Sequence, residues 1–348
     1  MTFHPIEYIG LNLYRITNQP WGFFGWQGII PTKAEKMASV CFELMTTKLL
    51  NLQEIFNRLE PTQFSLVMED ALLLMLDDIV NSVAVQYIPK TWSNIPKSIK
   101  DEVIVIMNIE SEKFMSAFMT DVKSHVDDIL DIKQMTVEAC VRNKRLVNSI
   151  FEECGAKEFK FIRESGLYFG FAFGVIQMVI SYWVDDLWLL PVAGFLVGYA
   201  TNWLALKVIF RPLRPCKLCC CTIHGLFLKR QIEVSETFAR VICVDILHTK
   251  AIWERILTGP LSTNFYAMLR AHSILFTDNL VGKLKPFAIS AVGGSTKFME
   301  MKEEIARQIA VSLPTIMPHS YKYTTEALDI ERTIREKMQQ LSSPEFEG

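Results

Sequence analysis

The stretch "LYFGFAFGVIQMVISYWV" (167–184) contains no charged residue. Asp185 and Asp186 close it, and a second uncharged run follows, "LWLLPVAGFLVGYATNWLAL" (187–206). Eighteen helical residues rise roughly 27 Å, close to the ~30 Å hydrocarbon core of a bilayer. Two such runs joined by two acids read as a helical hairpin that crosses a membrane and returns. The competing explanation is a hairpin buried in a soluble core, where adjacent runs of this length are uncommon. Lys157, Lys160 and Arg163 precede the first run, and Lys207, Arg211, Arg214 and Lys217 follow the second. The positive-inside rule then puts both flanks, and the soluble parts they lead into, on the cytoplasm-like side, with the acidic tip across the membrane.

Within the hairpin, Gly166, Gly170 and Gly174 recur every four residues, as do Gly194 and Gly198. Glycine at this spacing lets helix backbones approach closely in lipid. Counting outward from the tip pairs Gly174 with Gly198, Gln177 with Gly194, and Gly170 with Asn202. On this register Gln177 and Asn202 face the partner helix. A polar residue inside a membrane is a functional candidate, and Gln177, Thr201 and Asn202 are the three to test. The plainer alternative is a helix–helix hydrogen bond. Lys207 lies near the interface, where it can snorkel, and Arg211 lies just beyond it.

The tail of the second run, "VIFRP" (208–212), leads to Gly225, and the chain opens "MTFHP", which leads to Gly28. From those glycines, "GIIPTKAEKMASVCFELMTTKLLNLQEIFNRL" aligns with "GLFLKRQIEVSETFARVICVDILHTKAIWERI" at a constant offset of 197. "LDI" at 130–132 recurs at 328–330, offset 198. Two anchors about 100 residues apart at nearly one offset imply an internal duplication too long in period for a solenoid. Phe3 and Pro5 then match Phe210 and Pro212, so Met1 falls where a span is expected to end. The expectation is a longer form with a span before each half and one after the second. Such a repeat is parallel, with its pseudo-axis along the membrane normal.

The apolar residues Met37, Val40, Cys41, Leu44, Met45, Leu49, Leu52, Ile55, Phe56 and Leu59 form a stripe at helix spacing. Their counterparts include Val234, Phe238, Val241, Ile242, Ile246, Ile252, Trp253 and Ile256. Such stripes pack helical cores. Further helices are predicted over 61–88, 97–130, 133–153, 231–257, 262–285, 298–313 and 325–341. That over 97–130 buries Val103, Ile106, Met107, Phe114, Phe118, Val122, Val126 and Ile129. "VGGSTK" (292–297) reads as a loop, and its glycine spacing excludes a P-loop. The predicted fold class is all-α: an integral membrane hairpin (165–210) flanked by two repeated, elongated helical-bundle halves (1–164 and 211–348).

Two of these stretches carry a resemblance. "GYATNWLALKVIFRP" (198–212) followed by "GLFLKR" (225–230) resembles the TNWLAIKMLFRP…GLIPKR signature of the YheB/YjiN-like family of uncharacterised membrane proteins, domain-of-unknown-function family 445. "GWQGIIPTKAEKMA" (25–38) resembles its first-half motif and "SGLYFGFAFGVIQM" (165–178) its span entry. The resemblance covers nearly the whole chain and implies a topology, but no activity. Leu228 stands where the family has proline, the first TNWLAIK is absent, and "CKLCCC" lies outside the pattern.

Half of the 348 residues are hydrophobic, and mean hydropathy is +0.21. A protein with long soluble helices and a few spans fits these values. The net charge of −2 gives no pull toward nucleic acid. Of eight cysteines, Cys216, Cys219, Cys220 and Cys221 crowd beside a span on the basic side, where S-palmitoylation is the candidate chemistry. The CxxC spacing of Cys216 and Cys219, with His224 nearby, offers a metal as the rival. His125 lies among Asp121, Asp127 and Asp128. The histidines form no HExxH or other ligand spacing, and no Ser-His-Asp arrangement or G-x-S-x-G signature points to a catalytic site. The expected function is a non-enzymatic, multi-pass scaffold whose amphipathic helices bind a protein partner or a second copy. The alternative is a small transporter or lipid-handling protein with a polar path at the hairpin.

Overall fold

The computed structural model describes residues 2–10, 19–22, 24–183, 188–212, 216–218, 221–223, 225–342 and 345–346. Among these the chain is almost entirely helical, so the all-α expectation holds. Strands β1 (Ile9–Gly10), β2 (Trp21–Gly22) and β3 (Gly25–Trp26) form a small antiparallel sheet in the order β1-β3-β2. Next come α1 (Ile29–Thr32), α2 (Ala34–Leu44), a π-helical turn at Met45–Leu49 and α3 (Leu52–Phe56). The apolar stripe expected to run unbroken from Met37 to Leu59 is therefore interrupted. Helix α2 buries Ala34, Ala38 and Phe42 and leaves Val40 and Leu44 exposed. A π turn inserts a residue and rotates the chain, so that Met45 and Leu49 within it and Ile55, Phe56 and Leu59 beyond it point inward.

Helix α4 (Pro61–Tyr87) starts on proline and stops just before Pro89, as proline chemistry dictates. It is followed by α5 (Pro89–Asn94), α6 (Lys97–Ser124), α7 (Val126–Ile129), α8 (Ile132–Arg142) and α9 (Lys144–Cys154). Four helices expected to be continuous are broken: 97–130 at His125, 133–153 at Asn143, 231–257 at Ile246–His248 and 325–341 at Asp329. The Asn143 side chain accepts the Arg145 N–H at 3.1 Å and so caps a new start.

Then come α10 (Ala156–Trp183) and α11 (Leu189–Phe210), the antiparallel pair β4 (Cys216–Leu218) and β5 (Cys221–Ile223), α12 (Leu226–Lys229), α13 (Gln231–Asp245) and α14 (Thr249–Thr258). The last elements are α15 (Ser262–Val281), a 3-10 turn at Gly282–Leu284, α16 (Lys285–Val292), α17 (Ser295–Ile316), a 3-10 turn at Met317–Ser320, α18 (Tyr321–Leu328) and α19 (Ile330–Gln340). Between α16 and α17, Gly293 and Gly294 take φ of 93° and 121°, values that favour glycine.

Several local geometries recur at matching positions. Gly28 N–H donates to the Pro5 carbonyl (2.8 Å) and Gly225 N–H to the Pro212 carbonyl (3.2 Å). Each glycine opens a four-residue helix. Asn51 Oδ1 accepts from Glu54 N–H (3.1 Å), and His248 Nδ1 accepts from Ala251 N–H (2.9 Å), each capping the helix that follows. Helices α6 and α17 begin 198 residues apart, and α8 and α19 both begin and end 198 apart.

The chain forms two compact units: 1–44, 137–245 and 331–348 make unit 1; 45–136 and 246–330 make unit 2. The expectation is one bundle per half, at 1–164 and 211–348; each compact unit draws on both halves of the sequence. The reason is visible in unit 2. Helices α4 and α6 pack antiparallel, as do α15 and α17, and each pair then covers the other, α6 against α15 and α4 against α17. Phe118 meets Phe265 (5.3 Å between ring centroids) and Phe114 meets Phe276 (5.3 Å). Phe64 lies against Trp253 and Tyr323. Neither helix pair buries its apolar rows alone. The N-terminal part of α6 is the exception to the expected buried face, since Ile106 is exposed and Val103 only half-buried. In unit 1, α9 packs against α1, α2 and α13, α10 against α11, and α11 against α12.

Replacing Phe118 by Ala removes a fully buried ring from this layer and is expected to destabilise unit 2 by about 3–5 kcal/mol. A lower denaturant midpoint with unchanged far-ultraviolet circular dichroism is the expected reading. An unchanged midpoint would mean that the two helix pairs do not depend on each other.

Candidate functional site at the hairpin

Two helical stretches, Ala156–Trp183 and Pro191–Ile209, each contain an 18-residue window apolar enough to cross a membrane, by length and composition. Only 6% of the first window and 12% of the second is buried. A hairpin serving as the core of this chain would be mostly covered, and these two helices are mostly exposed. Pro191 sits in the first turn of α11, where its missing N–H costs nothing. Asp185 and Asp186 lie outside the described residues.

The two helices meet along rows spaced by four. On α10 these are Ser165, Phe169, Phe173, Gln177 and Ser181; on α11 they are Ala193, Val197, Thr201, Ala205 and Ile209. The expected close approach across glycines is not found. A Cβ added at Gly170, Gly174, Gly194 or Gly198 would meet no atom within 4 Å. Each glycine follows a seam residue by one position, a rotation of about 100° on a helix. The phenylalanines and valine of the seam hold the backbones apart, and the glycine rows face outward. Gln177 lies half-buried on the seam, and Asn202 is exposed on the continuation of the Gly194–Gly198 row. The sequence count missed this because it fixed depth along the helix and not rotation about it.

Thr201 is half-buried, and its hydroxyl donates to the Val197 carbonyl of its own helix at 2.8 Å. Lys207 is exposed, with Nζ 4.4 Å from the centre of the Trp203 ring, a cation–π contact one turn back. Arg211 is exposed just past the helix end. Cys219 and Cys220 lie outside the described residues, and only the backbone of Cys216 and Cys221 is described. Three of the other cysteines are poor nucleophiles. Burial pushes the Cys41 thiol up to about 11, and Cys140 and Cys154 to about 12.

A charge network at the base of α10 was not anticipated. Glu158, whose side chain is 7% exposed, accepts two bonds from Arg230 Nη1, at 2.5 and 2.7 Å. Arg230 Nε donates to Glu233 at 3.0 Å, and Lys157 Nζ donates to the same carboxylate at 2.8 Å. The two acids and two bases balance where α10 begins. Arg230 ends the "GLFLKR" segment, and its hydrogen bond to Glu233, with that of Lys157, holds the Glu233 carboxyl down to about 2. The sequence signalled only that the position is basic, since Glu158 is 72 residues away.

In unit 2, Asp121 bridges His125 Nδ1 (3.0 Å) and His272 Nε2 (3.2 Å). The tertiary fold supplies His272; Asp127 and Asp128 take no part in this bridge. Among the described residues no group of three His, Cys, Asp or Glu side chains is arranged to hold a metal. An open groove of about 530 Å³ runs between α4 and α17. Met75, Ile79 and Ile316 floor it, and Asp78, Gln308, Ser312 and His319 line it. No family model, no curated protein and no solved structure matches the chain.

Three outcomes follow from this geometry. Arg230→Ala leaves Glu158 buried without its cation and is expected to cost about 3–5 kcal/mol. Glu233 titrates lower when folded than its usual value of 4.5, so its contribution is complete above that pH and is lost as pH falls toward 2. The unfolding midpoint of the wild-type chain should decline across that window, and in Arg230→Ala the decline should shrink. Gly174→Ala should leave the seam intact and be neutral or stabilising by up to ~1 kcal/mol. A marked loss in a bilayer, but not in detergent, would show that another helix packs on the glycine row.

Proposed function

We propose that this chain is an integral membrane protein in which α10 and α11 span a bilayer as a hairpin and anchor a non-enzymatic helical scaffold. The carrying observation is that two helices, each with an uncharged stretch of near-spanning length, leave their apolar sides uncovered, with Leu167, Phe171, Met178, Phe195 and Tyr199 all exposed. Lys157, Lys160 and Arg163 on one helix and Lys207 and Arg211 on the other put both helix bases on the cytoplasm-like side. The balanced network at Glu158 and Arg230 supports the same reading, since it neutralises charge where the chain leaves lipid. The matched caps and helix bounds at offsets of 197 and 198 support an internal duplication. With that, the resemblance to the YheB/YjiN-like family becomes part of the proposal. The open groove between α4 and α17 is of a form that accepts side chains from a partner helix.

The scaffold reading is preferred to a transporter because the polar residues do not converge: Thr201 bonds its own helix and Asn202 faces away from Gln177's seam. Alkaline carbonate washing of membranes carrying the full chain tests the anchor. Retention in the pellet is expected, and release of the chain would end the membrane reading. Asn202→Leu should then insert, fold and retain partner capture. Loss of a transport activity in a variant that still inserts would favour the transporter instead.

A further inference from the structure

The two helical turns at one end of unit 2 share a character that the hairpin reading does not use. Residues 79–100, from the last turns of α4 into the first turn of α6, contain three lysines and no acid; residues 279–299, from the end of α15 into the first turn of α17, also contain three lysines and no acid. The contacts Phe114–Phe276 and Phe118–Phe265 run antiparallel along α6 and α15, so both turns lie at one end of the unit. Lys90, Lys97 and Lys297 are exposed there, and Lys100 Nζ lies 5.0 Å over the Trp92 ring. Beside them Leu284 is 67% exposed and Phe287 69%. Asp278, the acid at the base of the second turn, is held between Lys285 (2.9 Å) and Lys302 (3.0 Å) and is thereby neutralised. The next acids, Asp101, Glu102 and Glu300, begin about a turn down their helices.

We infer that this end of unit 2 docks on an anionic lipid surface, with the lysines against headgroups and Leu284, Phe287 and Trp92 at the interface. Exposed apolar and aromatic side chains ringed by lysine, with no free acid among them, match the two forces that hold peripheral elements on a charged bilayer. A nucleic-acid groove would need the lysines to follow a backbone path, and exposed aliphatic groups such as Leu284 have no role there. The inference does not require that the hairpin spans a membrane.

The test is hydrogen exchange on the full chain held in neutral phosphatidylcholine nanodiscs, with vesicles added. Failure to enter nanodiscs bears on the hairpin alone, and the free chain is then used in the same assay. Vesicles containing phosphatidylserine should slow exchange in peptides covering 88–100 and 282–299, and not in α18. Pure phosphatidylcholine vesicles should not, and high salt should abolish the effect. Each lysine near an anionic surface is worth roughly fivefold, so Lys90→Gln, Lys97→Gln and Lys297→Gln together should weaken vesicle affinity about a hundredfold. Phe287→Gln should weaken it further without altering the salt dependence. The inference is overturned if the turns exchange equally with and without anionic lipid. It also fails if the triple variant binds like wild type, or if a single-stranded oligonucleotide protects the same peptides as well as the vesicles do.

Discussion

The aromatic layer of unit 2 is the constraint from which the remaining arrangement follows. A pair of antiparallel helices has two apolar faces, and α4–α6 can cover only one by its own contact. Phe114 and Phe118 on α6 are closed by Phe276 and Phe265 on α15, and α4 is closed by α17. Each of these rings removes a large apolar area from water, which outweighs the entropy of bringing together segments some 150 residues apart. Once the faces are shared, both inter-helix turns fall at one end, and the α4–α17 contact leaves a groove where its side chains are too small or too polar to close it.

In unit 1 the hairpin obeys a different rule. Its helices meet along a single narrow row and leave everything else uncovered, which in water would be a liability and in lipid is the natural state. Small side chains do line the seam, at Ser165, Ser181, Ala193 and Ala205, but the glycines stand beside it. What fixes the base of the hairpin is electrostatic: a nearly buried carboxylate is tolerable only because Arg230 meets it with two hydrogen bonds and Glu233 and Lys157 complete the balance. Such a network resists displacement of α10 relative to α13, since moving either leaves an unpaired charge.

Much of this was written in local sequence, and the boundary between what was and was not is physical. Helical character, the proline-bounded ends of α4, the uncharged lengths of α10 and α11 and the flanking lysines follow from residues within a few turns of one another. Periodicity reports the apolar face of a helix only when that face is its strongest pattern. In α2 the row Ala34–Ala38–Phe42 is less hydrophobic than Met37–Val40–Leu44, yet it is the row that packs, because its small residues let a neighbour approach. Likewise the four-residue glycine repeat announced a close-packing surface, and the seam lies one position away.

The sequence by itself determined the helices, their approximate ends, the two bilayer-length runs and the offsets of 197 and 198. Tertiary structure alone decided which faces are covered, that each compact unit is assembled from both halves, and that Glu158 meets Arg230 and Asp121 meets His272. The reason is that helix formation is governed by neighbours three and four residues away. The choice of packing partner is governed by complementary shape and charge between segments that the chain order does not bring together.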